Sequence, residues 1–392
     1  METFDVLVIG AGAAGLMCGI EAGKRGRRVL VVDHAKAPGE KIRISGGGRC
    51  NFTNLRTAPA AFLSENPRFC ISALSRYTPA DFIALVDRHG IAWHEKTLGQ
   101  LFCDGSAKQI VEMLVGELRA AGGTLRLGVE VSSIEKTADG FKATVGGEVI
   151  GAQALVVATG GKSIPKMGAT GFAYDVARQF GLAVTPTRPA LVPLTIEVGQ
   201  LERLAPLAGV AADVRIRCGK TAFEEAMLFT HRGLSGPAIL QISSYWREGE
   251  TIEIDFAPGV ELLEALKRAR GMNGRQAVAT VLAEQIPRRL AQHLADQAGA
   301  TGVLADASDK TLRALAEVAK AWRIKPVGSE GYRTAEVTLG GIDTAGLDQR
   351  TMAAKAVPGL YVIGEAVDVT GWLGGYNFQW AWASGWCAGQ AA

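Results

Sequence analysis

An α/β fold with a parallel sheet at its core is what this sequence predicts, and three observations carry that reading. Phe4-Asp5-Val6-Leu7-Val8-Ile9 is a β-branched apolar run of the kind that forms a strand buried on both faces. Gly10-Ala11-Gly12-Ala13-Ala14-Gly15, a helix-forming stretch to about Lys24 and a second strand over Arg27–Val32 follow directly. Glycine makes up 49 of the 392 residues, about one in eight against a usual one in about fourteen. The excess is local, with 21 of the 49 in residues 1–50, 158–171 and 359–389. Glycine is favoured where φ must be positive or where the backbone must approach a ligand closely, so three clusters far apart in sequence point to one ligand touched from three directions.

Composition narrows the class. Apolar residues at 48% and charged residues at 21% belong to a globular chain with a large core, which excludes disorder and collagen-like repetition. The net charge of +3, from 42 basic and 39 acidic residues, is too balanced for a strong footprint on a polyanion. No nucleic-acid partner and no membrane partner is therefore expected, and the substrate is expected to be a small molecule. Cys18, Cys50, Cys70, Cys103, Cys218 and Cys387 include no C-x-x-C pair, which argues against a disulfide framework, a structural zinc site and a redox dithiol. A reducing cytoplasm fits best. Glu2 and Asp5 stand where an export signal carries positive charge. Val369–Ala392 lacks charge over a length that could span a bilayer, but Asn377, Gln379, Ser384 and five glycines make it read as a buried soluble element.

Each glycine cluster then has a chemical reading. In the first, the second strand ends at Asp33, completing a dinucleotide-binding fingerprint. Gly10, Gly12 and Gly15 permit the tight turn and close pyrophosphate approach, Ala13 and Ala14 open the helix N-terminus, and Asp33 takes ribose hydroxyls. The same helix carries Gly15, Gly19, Gly23 and Gly26 as a small-residue stripe, with Ala381, Gly385, Ala388 and Gly389 of a C-terminal helix as its expected partners. Lys41 and the run Ser45-Gly46-Gly47-Gly48-Arg49-Cys50-Asn51 read as an irregular loop whose N–H groups face an anion. There Lys41 and Arg49 add charge and Asn51 an amide.

The other two clusters follow strands. Ala154–Ala158 ends at Thr159-Gly160-Gly161, an exit that recurs in two-dinucleotide-binding flavoproteins, where it passes the cofactor. Gly359–Ile363 ends at Gly364-Glu365, where such flavoproteins place the acid that bonds ribityl hydroxyls. Gly374-Gly375-Tyr376-Asn377 opens a helix whose N-terminal dipole suits negative charge on a reduced flavin. Val131 completes the expected cofactor set.

At this point a family emerges. Gly10–Gly15, Ser45–Asn54, Phe229–Pro237, Val337–Ile342 and Gly371–Gln379 resemble the YhiN/BaiN-type FAD-dependent oxidoreductases, a group with members labelled aminoacetone oxidase. The similarity spans nearly the whole chain, and Ser-Gly-Gly-Gly-Arg-Cys-Asn and Gly-Trp-Leu-Gly-Gly-Tyr-Asn are its most specific strings. Glu365 stands where related flavoproteins often have Asp, and Asp33 where many have Glu; both keep the carboxylate. The resemblance implies a Rossmann-like FAD-binding domain of the two-dinucleotide-binding type, with an inserted β-rich domain and a helical subdomain. The corresponding boundaries are residues 1–190 with 335–392 for the FAD domain, 191–260 for the β-rich insert and 261–334 for the helical subdomain and the return to the FAD domain. Alternating runs at 213–217 and 251–255, and leucines at three- and four-residue spacing from 290 to 315, agree with this division.

The chemistry implied is hydride or electron transfer through FAD. No second strand-G-x-G-x-x-G-helix unit occurs between residues 150 and 340, so an NAD(P)H reductant would dock only transiently. Thr230-His231-Arg232-Gly233 is the candidate catalytic string: histidine is the side chain suited to proton transfer at neutral pH, and Arg232 can clamp an anionic or carbonyl group. The plainer reading makes His231 a turn residue and Arg232 a solvated one. Tyr332, Arg333, Arg188 and Tyr376 are weaker candidates, and His34, His89, His94 and His293 lack metal-ligand spacing. The expectation is an FAD-dependent oxidoreductase acting on a small organic substrate, as reductase or oxidase. The alternatives are a flavin-binding protein of RNA modification and a redox sensor without turnover.

Overall fold

The computed structural model describes all 392 residues, which divide into two compact units, Met1–Arg188 with Val337–Ala392, and Pro189–Glu336. In the first unit five strands run parallel in the order Thr124–Leu127, Val29–Asp33, Glu2–Ile9, Glu148–Val157, Leu360–Val362. Consecutive Val6, Leu7 and Val8 are all fully buried, as a strand covered on both faces requires. The long strand Glu148–Val157 shares its outer edge. Its first half pairs antiparallel with Gly140–Val145, which continues to Val131–Thr137, and its second half pairs parallel with Leu360–Val362.

The helix Ala13–Lys24 is buried from Ala14 through Gly23 and packs on the C-terminal helix Tyr376–Gly389. That contact was expected, but the residues making it differ. A Cβ on Gly385 would lie 2.4 Å from the Ala14 carbonyl oxygen, and one on Gly389 2.6 Å from Glu21 Cβ. The stripe on the first helix points elsewhere: Gly19 meets Val31 and Leu118, Gly23 meets Ala121, and Gly26 lies beyond the helix end. Each helix thus supplies small residues where a neighbour comes closest, and for Gly19 and Gly23 that neighbour is not the C-terminal helix.

The C-terminal tryptophans are largely core. Trp382 stacks on Phe82 at 4.3 Å and on Phe378 at 5.7 Å, and its indole N–H donates to the Phe52 carbonyl at 2.8 Å. No helix of the chain is long and apolar enough to cross a membrane. Thr78 and Asp81 form the capping box that starts the helix Pro79–Arg88, with the Thr78 N–H donating to Asp81 Oδ2 at 2.7 Å. A small antiparallel sheet joins Asn51–Asn54, Gln100–Cys103 and Trp93–Glu95.

The second unit is a seven-stranded antiparallel sheet in the order Trp322–Ile324, Ile252–Asp255, Ala211–Cys218, Thr221–Phe229, Gly233–Ser235, Leu194–Thr195, Gly328–Ser329. Residues 211–218 alternate strictly between exposed and buried, the pattern of a sheet wet on one face. Helices Leu262–Asn273, Val278–Leu282, Arg288–Gln297 and Asp309–Lys320 follow. The stretch 261–334, read from sequence as helical, also contains the sheet's two edge strands. Trp322-Arg323-Ile324, buried at both ends and exposed at Arg323, closes the edge beside Ile252–Asp255.

Candidate cofactor site

The turn at Gly10–Gly15 is held by the chain itself. The Gly10 N–H donates to the Val32 carbonyl at 2.8 Å and the Ala11 N–H to Asp33 Oδ2 at 2.7 Å, while Asp33 Oδ1 accepts the Ala35 N–H at 2.9 Å. Gly10 adopts φ +112°, and a Cβ there would lie 2.4 Å from the Ala158 carbonyl oxygen. On Gly15 it would lie 1.9 Å from the Gly10 carbonyl oxygen. Gly12 is different: its φ is an ordinary −84°, and nothing lies within 4 Å of where a Cβ would be. The helix begins there with no side-chain cap, so its first N–H groups have no side-chain acceptor. Val131 opens its strand half-buried, two residues after Val129, whose N–H donates to the Asp33 carbonyl at 3.1 Å.

The glycine clusters do converge, and much of the convergence is protein on protein. Gly364 (φ +69°) packs on Ala14 Cβ, and a Cβ on Gly375 (φ +96°) would lie 2.4 Å from the Thr53 carbonyl oxygen. The Gly364 N–H donates to Ser384 Oγ at 3.0 Å, and its carbonyl accepts the Trp380 indole at 2.9 Å. Within the turn at Gly10–Gly15, the Ser45–Asn51 loop and the Thr159–Gly161 exit, the positions left open are Gly12 and Gly47, with Gly48 and Gly160 meeting only one atom each, at 3.9 Å. Beside Gly160, Thr159 Oγ1 is buried with no hydrogen-bond partner. Open backbone at separate clusters and an orphaned hydroxyl beside one of them fit an extended polar ligand such as FAD.

Lys41, expected to offer its charge to an anion, is engaged by side chains of the protein. Its Nζ lies 2.6 Å from both Ser163 Oγ and Glu365 Oε2, and Glu365 Oε1 accepts from Ser163 Oγ and the Thr338 N–H at 3.0 Å each. Gly161 makes this cluster possible, since a Cβ there would lie 2.7 Å from Glu365 Oε1. Ser163 and Thr338 were not read as site residues, although Ser163 follows the Thr159-Gly160-Gly161 exit closely and Thr338 lies within the Val337–Ile342 string.

The glycine loop is irregular as expected. The segment Glu40–Gly48 is helical only until Ser45 (ψ 147°), and Gly46, Gly47 and Gly48 follow with φ of +57°, +66° and +85°. Arg49 is exposed. The Cys50 side chain is buried in the core, where desolvation pushes its thiol well above the ordinary value. The Asn51 amide donates to the Leu101 and Thr53 carbonyls at 3.2 Å. Asn377 closes its own loop, accepting the Gly371 N–H at 2.8 Å and donating to the Gly371 carbonyl at 2.9 Å. Tyr376 meets Trp372 and Phe62 edge-on. The side chains of Cys50, Asn51 and Asn377 therefore shape the loops that surround the open glycines.

In the second unit, His231 and Arg232 occupy the exposed tip of a turn in which Thr230 Oγ1 accepts the Arg232 and Gly233 N–H groups at 3.2 and 3.1 Å. Arg232 lies 3.9 Å from Glu330. Gly233 and Gly236 flank this turn, and they alone in the unit have a Cβ position closer than 3.0 Å to another atom.

The profile of the HI0933-like protein Rossmann domain matches residues 4–391. The chain belongs to the HI0933-like family. It is 54% identical to a protein of Escherichia coli K12 named ribosomal RNA dihydrouridine synthase, over 100% of this chain and 98% of that one. It is 29% identical to the 3-dehydro-bile acid delta(4,6)-reductase of Clostridium scindens, over 98% of each chain. Its fold resembles 3-ketosteroid-delta4-(5alpha)-dehydrogenase of Rhodococcus jostii RHA1, with a TM-score of 0.51 at 14% identity over 99% of this chain and 97% of that one. As an HI0933-like protein it has a Rossmann-like FAD-binding α/β fold and falls among the FAD-dependent oxidoreductases, as the motifs implied. The expectation of no nucleic-acid partner is overturned by the name of the Escherichia coli relative. A near-zero net charge sums over the whole surface, whereas recognition of a polyanion depends on where the charges sit.

Proposed function

We propose that this HI0933-like protein is a flavin-dependent reductase that saturates the C5=C6 bond of uridine in ribosomal RNA. The observation that carries the reading is 54% identity, end to end, with the Escherichia coli ribosomal RNA dihydrouridine synthase. The Clostridium relative is also named a reductase, of delta(4,6) bonds in a bile acid. In uridine the C4 carbonyl withdraws electrons from C5=C6, so C6 accepts a hydride and C5 a proton, and an NAD(P)H-class reductant restores the electrons. Bound FAD supplies the hydride. Gly12, Gly47, Gly48 and Gly160 leave room for that cofactor, with Thr159 Oγ1 as a partnerless polar group and Lys41–Ser163–Glu365 as a polar wall. His231 is the proposed proton donor and Arg232 the clamp for a carbonyl or phosphate.

Anaerobic incubation of the FAD-loaded protein with unmodified ribosomal RNA and NADPH or NADH, followed by nucleoside mass spectrometry, tests this. Dihydrouridine should appear, and His231→Ala should lose it while retaining FAD. Reduction of a small conjugated enone with no dihydrouridine in the RNA would replace this reading with that of a small-molecule reductase.

A further inference from the structure

The small sheet of the first unit ends in two turns that lie against each other. The Leu55 N–H donates to the Gly99 carbonyl at 2.9 Å, and a Cβ on Gly99 would lie 3.0 Å from Arg56 Cγ. The buried Asn54 amide fastens the pair: its Nδ2 donates to the Leu98 carbonyl at 3.2 Å and its Oδ1 accepts the Arg56 N–H at 2.8 Å. The same Nδ2 donates to the Gly374 carbonyl at 2.8 Å, joining these turns to the loop before the C-terminal helix. Leu98 is held at φ +52°, a conformation that a leucine adopts only where its surroundings determine it. Its side chain is nevertheless 40% exposed, and that of Leu55 50%.

Two cations stand beside these leucines. Arg56 and Lys96 are exposed, and neither joins an ion pair. Glu95, the carboxylate of the same turn, accepts the Gly99 N–H at 3.0 Å. The Lys96 ammonium sits 5.5 Å over the Phe102 ring, on which Gly46 of the glycine loop also packs. The Phe102 ring therefore joins this turn to the proposed cofactor loop. Exposed apolar side chains interleaved with unpaired cations suit a ligand that carries both anionic links and flat apolar faces, which is the chemistry of single-stranded RNA.

We infer that this knuckle docks a single-stranded segment of the RNA substrate, with Arg56 and Lys96 on phosphates and Leu55 and Leu98 against base faces. The inference rests on the ribosomal RNA reading and gives it a docking surface. Fluorescence anisotropy of the FAD-loaded protein with labelled oligouridylate, across a salt series, tests it. Arg56→Ala/Lys96→Ala should bind about tenfold more weakly, with the slope of log affinity on log salt shallower by about 1.4, for two lost contacts of about 0.7 each. Leu55→Ala/Leu98→Ala should bind several-fold more weakly at an unchanged slope. Both variants should keep wild-type flavin absorbance and melting, which separates docking from folding. Wild-type affinity and slope in both variants would overturn the surface and leave the RNA reading standing. A wild-type protein that binds no RNA would overturn both. Variants that keep RNA but lose a ribosomal protein would make the knuckle a protein-docking face and overturn the inference.

Discussion

Backbone crowds glycine more often in the first unit than in the second, where only a Cβ on Gly233 or Gly236 would come within 3.0 Å of it. In the first, a Cβ on Gly10, Gly15, Gly23, Gly375 or Gly385 would strike backbone between 1.9 and 2.6 Å away. In the second, Gly209, Gly219, Gly249, Gly259, Gly299 and Gly302 have positive φ and nothing within 4 Å. One set allows helices and strands to touch, and the other allows the chain to turn in water. Composition records only their sum. The distinction also isolates Gly12, which sits among the crowded glycines yet is neither crowded nor left-handed.

The largest expected effect tests that contrast. Gly15→Ala should cost about 3 kcal/mol or more, because backbone rather than a flexible side chain must yield, and soluble protein carrying flavin should be nearly absent. Gly219→Ala, at φ +55° in the open turn between two strands, should cost only about 1 kcal/mol, the penalty of a left-handed alanine. Chemical denaturation of both variants measures the difference. Equal losses would dissolve the distinction between crowded and open glycines.

A smaller effect concerns the wet face of the second unit's sheet. Its alternating pattern puts Arg217, Glu253 and Arg323 in register on three adjacent strands, with Glu253 2.7 Å from Arg217 and 3.0 Å from Arg323. The hydrogen bonds from Arg217 and Arg323 hold the Glu253 carboxyl below the usual carboxylate range. Because its pKa is lower when folded, its contribution is complete above the unfolded carboxylate pKa and fades as pH falls through the folded one. Glu253→Gln should therefore cost about 0.5–1 kcal/mol at neutral pH, as partly exposed pairs do, and nothing in strong acid. Denaturation midpoints across a pH series read this, and a cost independent of pH would deny the carboxylate its role.

The two units were legible to different degrees for physical reasons. In the first, the strand-turn-helix-strand order and the irregular Ser45–Arg49 loop are local, and each follows from spacing alone. The partners of Gly19 and Gly23 were misread because a small residue specifies closeness without saying to what. Lys41 was read as free charge because nothing local announces that Ser163 and Glu365, more than 100 and 300 residues away, will meet it. In the second unit the alternation at 213–217 and 251–255 was plain, but Trp322–Ile324 and Gly328–Ser329 are too short to display a period and were not read as strands. The polyanion question was answered wrongly because a sum over 81 charges does not record where on the surface they sit.

The central claim is that the crowded glycines build a cradle and Gly12 is its open side. Titration of Gly12→Val apoprotein with FAD, beside the melting of that apoprotein, tests it most directly. Stability should fall by no more than the loss of a helix N-cap, about 1 kcal/mol, while FAD affinity falls about tenfold or more, equivalent to about 1.4 kcal/mol. Wild-type FAD affinity in this variant would contradict the cradle.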